Sequence, residues 1–163
     1  MVLLAGACSP ISSSVPFTTA AVTAREWELH MEEPPATGEF WSFVLTNEGR
    51  ELHEFGIAAL PPDTPAEDIV AQVRATGEIP PTADPLAVVG PVEPGRTMQL
   101  DSPIPLEWNR RYIFACFLRV EEGPDRGRLH AELGMFGEFR TMPDPSPSPT
   151  VFPTLETPSP AGT

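Results

Sequence analysis

Two histidines, one cysteine and one methionine stand in three short segments: Leu52-His53-Glu54-Phe55, Tyr112-Ile113-Phe114-Ala115-Cys116-Phe117 and His130-Ala131-Glu132-Leu133-Gly134-Met135. Two imidazoles, a thiolate and a thioether form a soft, mixed nitrogen and sulfur set, which suits copper and not calcium or magnesium. A trigonal plane of two His and one Cys with a weak axial Met is an arrangement for one-electron transfer. Taken singly, each residue has an ordinary explanation. Cys116 alternates with Tyr112, Phe114 and Leu118 as a buried core thiol would, and Met135 has the shape of a gap filler. His30 falls with Glu26 and Glu28 on the polar positions of its segment and reads as a surface histidine. The chain has three His and two Cys, so the set takes two of the three His and the one Cys that lies away from the N-terminus. Paired carboxylates, a Ser-His-Asp set, a Gly-rich phosphate loop and a CxxC motif are not evident, so hydrolytic and nucleotide chemistry are not expected.

The elements that must position these residues are mostly strands. Trp27, Leu29 and Met31 alternate with polar neighbours, and 40–46 is a run of aromatic and β-branched residues. A further strand, 52–60, follows the turn Asn47-Glu48-Gly49-Arg50, and 96–100, 111–118 and 135–141 complete at least six. One helix interrupts them over 64–77. Thr64-Pro65-Ala66-Glu67 has the form of a capping box with Pro at the first helical position, Ile69, Val70 and Val73 make an apolar stripe, and Gly77 is placed to end it. Short strands between Pro and Gly turns predict an all-β, Greek-key sandwich or barrel with that one inserted helix. The proline-rich stretch 78–94 reads as a long surface connection.

The chain has 163 residues, 22 of them Pro, and a hydrophobic fraction of 40%, enough for one core. The ends differ from the middle. Of the 21 residues in 143–163, seven are Pro and seven are Ser or Thr, a composition expected to remain disordered. The expected organisation is an N-terminal segment 1–16, a sandwich domain 17–142 and that tail. Ten Arg, no Lys and 23 Asp plus Glu give a formal net charge of −13, which repels phosphate backbones, so nucleic acid is excluded as a partner.

The order His53, Cys116, His130, Met135 resembles that of the cupredoxin family, the blue copper proteins. Four residues separate His130 from Met135, as in the family's second His and Met. Gly137-Glu138-Phe139 after Met135 is similar to its closing strand, and Asn47-x-Gly49 before His53 is similar to its first-ligand loop. The resemblance covers most of 22–141. It departs at the 13 residues, 117–129, between Cys116 and His130, which the turn-rich Glu121-Glu122-Gly123-Pro124-Asp125 would carry out and back as a hairpin. The resemblance implies one copper held by His53, Cys116, His130 and Met135, and an electron carrier, not an enzyme. A redox partner would dock near Leu133 and Phe136, around an exposed edge of His130, steered by Glu121, Glu122, Asp125 and Glu132. The protein would be a monomer.

Two other readings use the same chain: a Cu(I) handling or delivery protein with the same ligands, and a metal-free cupredoxin-like surface interaction module. Ala5-Gly6-Ala7 before Cys8, with polar residues after it, resembles the end of a bacterial lipoprotein signal. That implies a lipid on Cys8 and an extracytoplasmic place on the outer face of the cytoplasmic membrane, or secretion. Seven residues before Cys8 are fewer than the 15 to 30 of a complete signal. A disulfide between Cys8 and Cys116 is disfavoured, because Cys116 belongs to an interior strand.

Overall fold

A computed structural model describes residues 16–145. Two sheets face each other. The first contains β1 (Thr18–Arg25), β2 (Glu28–Met31), β3 (Phe40–Asn47) and β6 (Thr97–Gln99) in the order β2-β1-β3-β6, with the short β7 (Ile104–Pro105) also on β3. The second contains β4 (His53–Leu60), β5 (Asp84–Val92), β8 (Arg111–Ala115) and β9 (Phe136–Arg140) in the order β5-β4-β8-β9. Only β1 and β3 run parallel; every other pairing is antiparallel. The chain crosses between the sheets from β3 to β4, β5 to β6 and β7 to β8, so the sandwich is closed by long-range packing. The all-β sandwich with one inserted helix agrees with the sequence pattern.

Strand parity divides the core in two. On β4 and β8 the residues Phe55, Ile57, Ala59, Tyr112 and Phe114, with Cys116 just after β8, point between the sheets, where they meet Val22, Phe43 and Leu45. Phe43 and Phe55 are tilted against each other with ring centroids 5.0 Å apart. Their neighbours Ala58, Leu60, Ile113 and Ala115 point the other way, against Ile69 and Val70 of the helix α1 (Ala66–Thr76). The second sheet is thus covered on both faces, which is why 57–60 and 112–116 are unbroken apolar runs.

The structure corrects three expectations. The stretch 78–94 is not only a surface connection: it contains β5, nine residues long. Pro85 and Pro91 are tolerated there because β5 is the outermost strand of its sheet, where a missing N–H need not break a ladder. The capping box at Thr64 does not form; Pro65 occupies the N-cap position and no side chain caps the helix. Finally, β1 lies outside the strands expected from the sequence, its small buried residues Ala20, Val22 and Ala24 giving little apolar signal. The stop is as expected, with Gly77 left-handed at φ 77° and its N–H on the Val73 carbonyl.

Candidate metal centre

The register brings the predicted ligands together before any side chain is considered. Gly56 pairs with Ala115 across β4 and β8, and Ala115 pairs with Phe136 across β8 and β9. The start of β4, the end of β8 and the start of β9 therefore lie at one rim of the sandwich. Parity sends His53, Cys116 and Met135 to the inner face, the same face as Phe55, Phe114 and Phe139. The Cys116 N–H donates to the Met135 carbonyl at 3.0 Å, and the Met135 N–H donates to the His130 carbonyl at 3.1 Å.

His130 arrives by the long loop. Val120 N–H donates to Arg128 O, His130 N–H to Leu118 O and Ala131 N–H to Cys116 O, each at 2.9 Å, and Arg119 bridges Leu129. The 13-residue insertion is a hairpin that leaves at Cys116 and returns at His130, as the sequence suggested. A single 3-10 turn, His130–Leu133, then carries the chain to Gly134. There φ is 122° and a Cβ would stand 3.0 Å from the Trp27 carbonyl, so glycine is the residue that fits between His130 and Met135.

One ligand atom each from His53, Cys116 and His130 lies within 4.8 Å of the others. The two Nδ1 atoms are 3.2 Å apart, and Cys116 Sγ is 3.4 Å from His130 Nδ1. All three residues are 0 to 1% exposed. Burial pushes both imidazole pKa values down, with Glu26 opposing it at His53 and Glu51 at His130. Neutral rings with lone pairs result, as a metal ligand needs. Burial pushes the Cys116 thiol up to about 11, against the hydrogen bonds that Glu54 and Leu118 N–H groups give its sulfur; the former spans 3.4 Å. Burial also raises the Glu54 carboxyl, whose Oε1 accepts from Phe117 N–H at 3.0 Å. Buried soft donors that converge in this way fit a thiophilic cation. Met135 is fully buried, and its backbone is hydrogen-bonded to those of Cys116 and His130.

The loop that leads into His53 is held by Asn47. Its Nδ2 donates to the Glu51 and Val92 carbonyls at 2.7 and 2.8 Å, and its Oδ1 accepts from Gly49 N–H at 2.8 Å. Three residues that the sequence reading did not single out as site residues also stand at the site. Glu26 Oε1 is 3.6 Å from His53 Nε2, Glu51 Oε2 is 3.3 Å from His130 Nε2, and the Trp27 ring meets the His130 ring edge-on at a centroid distance of 5.1 Å. Their spacing carries no signal, because it is the turn between β1 and β2 that brings Glu26 and Trp27 against the 48–52 loop, which contains Glu51.

Other expectations fare differently. His130 has no exposed edge, since Glu51 and Trp27 cover it. Phe136 is partly buried against the cluster under α1, which leaves less of it for docking. Asp125 pairs with Arg128 at 2.6 Å and Glu132 lies 3.8 Å from Arg74, so half of the supposed acidic steering set already has a cationic neighbour. A cavity of about 860 Å³ reaches His130, and Arg50, Arg119 and Arg126 line it together with Glu51 and Glu121. His30 is exposed and apart from the site. Cys116 is a free thiol, and Cys8 lies outside the described residues. Among the described residues no helix is long and apolar enough to cross a membrane.

No protein-family model matches the chain, and no curated protein matches it in sequence. Solved structures do. A dithionite-reduced auracyanin from the photosynthetic bacterium Roseiflexus castenholzii aligns with 80% of this chain and 100% of its own, at 17% identity and a TM-score of 0.52. Auracyanin A, a "blue" copper protein from the green thermophilic photosynthetic bacterium Chloroflexus aurantiacus, covers 77% of this chain and 99% of its own at 14% identity and a TM-score of 0.51. Auracyanin B gives 13% identity, 82% and 94% coverage and the same score. The chain has the cupredoxin fold. Within that fold, the rim where β4, β8 and β9 meet is where His53, Cys116 and His130 converge.

Proposed function

We propose that the protein binds one copper ion through His53, Cys116, His130 and Met135 and carries single electrons outside the cytoplasm. The observation that carries this reading is the convergence of two imidazoles and one thiol, all buried, within 4.8 Å. Copper would supply a reversible one-electron couple. The chain's own residues do the rest. On metal binding Cys116 would release its thiol proton to solvent, and its sulfur would keep the Glu54 and Leu118 N–H bonds, which stabilise the thiolate. The Nδ1 lone pairs of His53 and His130 would join the sulfur in holding the ion, with the Met135 thioether as a weaker fourth donor. Burial of every donor excludes water and substrate, which favours a carrier over a catalyst. A redox partner would approach through the charged cavity beside His130. We take 17–142 as the unit that folds and 143–163 as a tail, with Cys8 as the lipid anchor.

Addition of Cu(II) to the purified protein is expected to give one copper per chain and an intense visible band from thiolate-to-copper charge transfer. Cys116→Ser should abolish the band. A colourless protein whose free-thiol count stays unchanged overturns the reading. Tight Cu(I) binding without a reversible couple selects copper delivery instead, and equal copper uptake by wild type and Cys116→Ser selects the metal-free module.

A further inference from the structure

Both imidazoles carry a second nitrogen that the proposed ligand plane does not use. His53 Nε2 and His130 Nε2 are buried atoms without a hydrogen-bond partner among the described residues. Buried polar atoms without partners are rare and call for an explanation. Each faces one carboxylate, Glu26 at 3.6 Å and Glu51 at 3.3 Å. The Glu26 carboxylate is fixed by backbone donors, and Glu51 is fixed by its main chain. Glu26 Oε1 accepts from the backbone N–H groups of Arg50 and Glu51. Glu51 is held at its own N–H by Glu26 and at its carbonyl by Asn47 Nδ2. Gly49 leaves the room: a Cβ there would lie 2.6 Å from Glu26 Oε1 and 2.8 Å from His53 Nε2.

We infer that Glu26 and Glu51 are positioning residues of the copper centre, one behind each imidazole, that hold the ring proton at Nε2 and set the balance between the two copper oxidation states. This inference rests on the copper reading above. A carboxylate that accepts from Nε2–H fixes the tautomer whose Nδ1 is bare, and it makes that Nδ1 a stronger donor. With both protons at Nε2, two lone pairs 3.2 Å apart repel each other until a cation joins them. Charge acts in the same direction. Two carboxylates and a thiolate place three negative charges around the ion, so the doubly charged oxidised form gains more than the singly charged reduced form. The side chains of Glu26 and Glu51 are 18% and 29% exposed, so water screens them only in part.

Glu26→Gln and Glu51→Gln separate charge from shape, because the amide oxygen still accepts a hydrogen bond; the alanine variants remove both. Each glutamine variant is expected to keep the visible band and to lower the Cu(II)-to-Cu(I) affinity ratio about tenfold, a rise in potential of about 59 mV for one electron. Each alanine variant should weaken Cu(II) binding by about 10 to 100-fold. In the diamagnetic Cu(I) protein, both Nε2–H protons should resonate far downfield by NMR, and each should move upfield in its own variant. Glutamine variants with the wild-type potential and unmoved Nε2–H signals overturn the inference. If Glu26→Gln fails to fold because two backbone N–H groups lose their carboxylate, Glu51→Gln decides alone, since the side chain of Glu51 caps no backbone group. A wild type without the charge-transfer band overturns the copper reading itself, a different result from a blue wild type whose variants behave alike.

Discussion

Among single residues, Gly49 tests the site without touching a ligand. A methyl group there has no space, because it would overlap both the Glu26 carboxylate and the His53 ring. Gly49→Ala is therefore expected to cost about 1 to 3 kcal/mol of stability, the usual range for overpacking, and to weaken copper retention by displacing His53. Urea unfolding and a copper competition titration check the two parts. The residues proposed as ligands were legible as candidates in the sequence because their order and the His130 to Met135 spacing are properties of the chain. Glu26, Trp27 and Glu51 were not. Alternation with Leu29 and Met31 makes Glu26 look like one more solvated acid, and only the turn after β1 brings it to His53.

The elements show the same division. Strands with bulky alternation, such as β3 and β8, were readable, whereas β1 is built from alanines and β5 is masked by its prolines; in both, pairing with a neighbour outweighs weak local preference. Strand β8 also carries a measurable pH effect through the single tyrosine of the chain. Tyr112 is buried, and its Oη accepts from Glu107 N–H at 2.7 Å. Burial raises its pKa above 10, with that hydrogen bond opposing. The native state therefore holds the phenol proton where the unfolded chain releases it, so this contribution to stability is complete below about pH 10 and is lost as pH rises through the native value. Tyr112→Phe should be about 1 kcal/mol less stable at pH 7, from the orphaned Glu107 N–H, and its stability should fall less steeply above pH 10. Urea unfolding across that range checks this, and phenolate absorbance follows Tyr112 alone.

For the whole molecule the formal charge is −13, but the surface around the proposed centre is not uniformly acidic, since three of the ten arginines line the cavity that reaches His130. A partner must match a mixed surface, which gives specificity more than attraction. The proposed lipid on Cys8 has its own test. A full-length product expressed in a bacterium is expected to sediment with membranes, and Cys8→Ala to release it; wild type found wholly in the soluble fraction counts against the lipid.

The prolines of β5 bear on self-association. An outermost strand is a template on which a second chain can add its own strand, and a complete row of backbone donors is what makes the template work. Pro85 and Pro91, near the two ends of β5, interrupt that row. The same residues that hid this strand in the sequence also leave its free edge a poor seed for sheet growth from one molecule to the next.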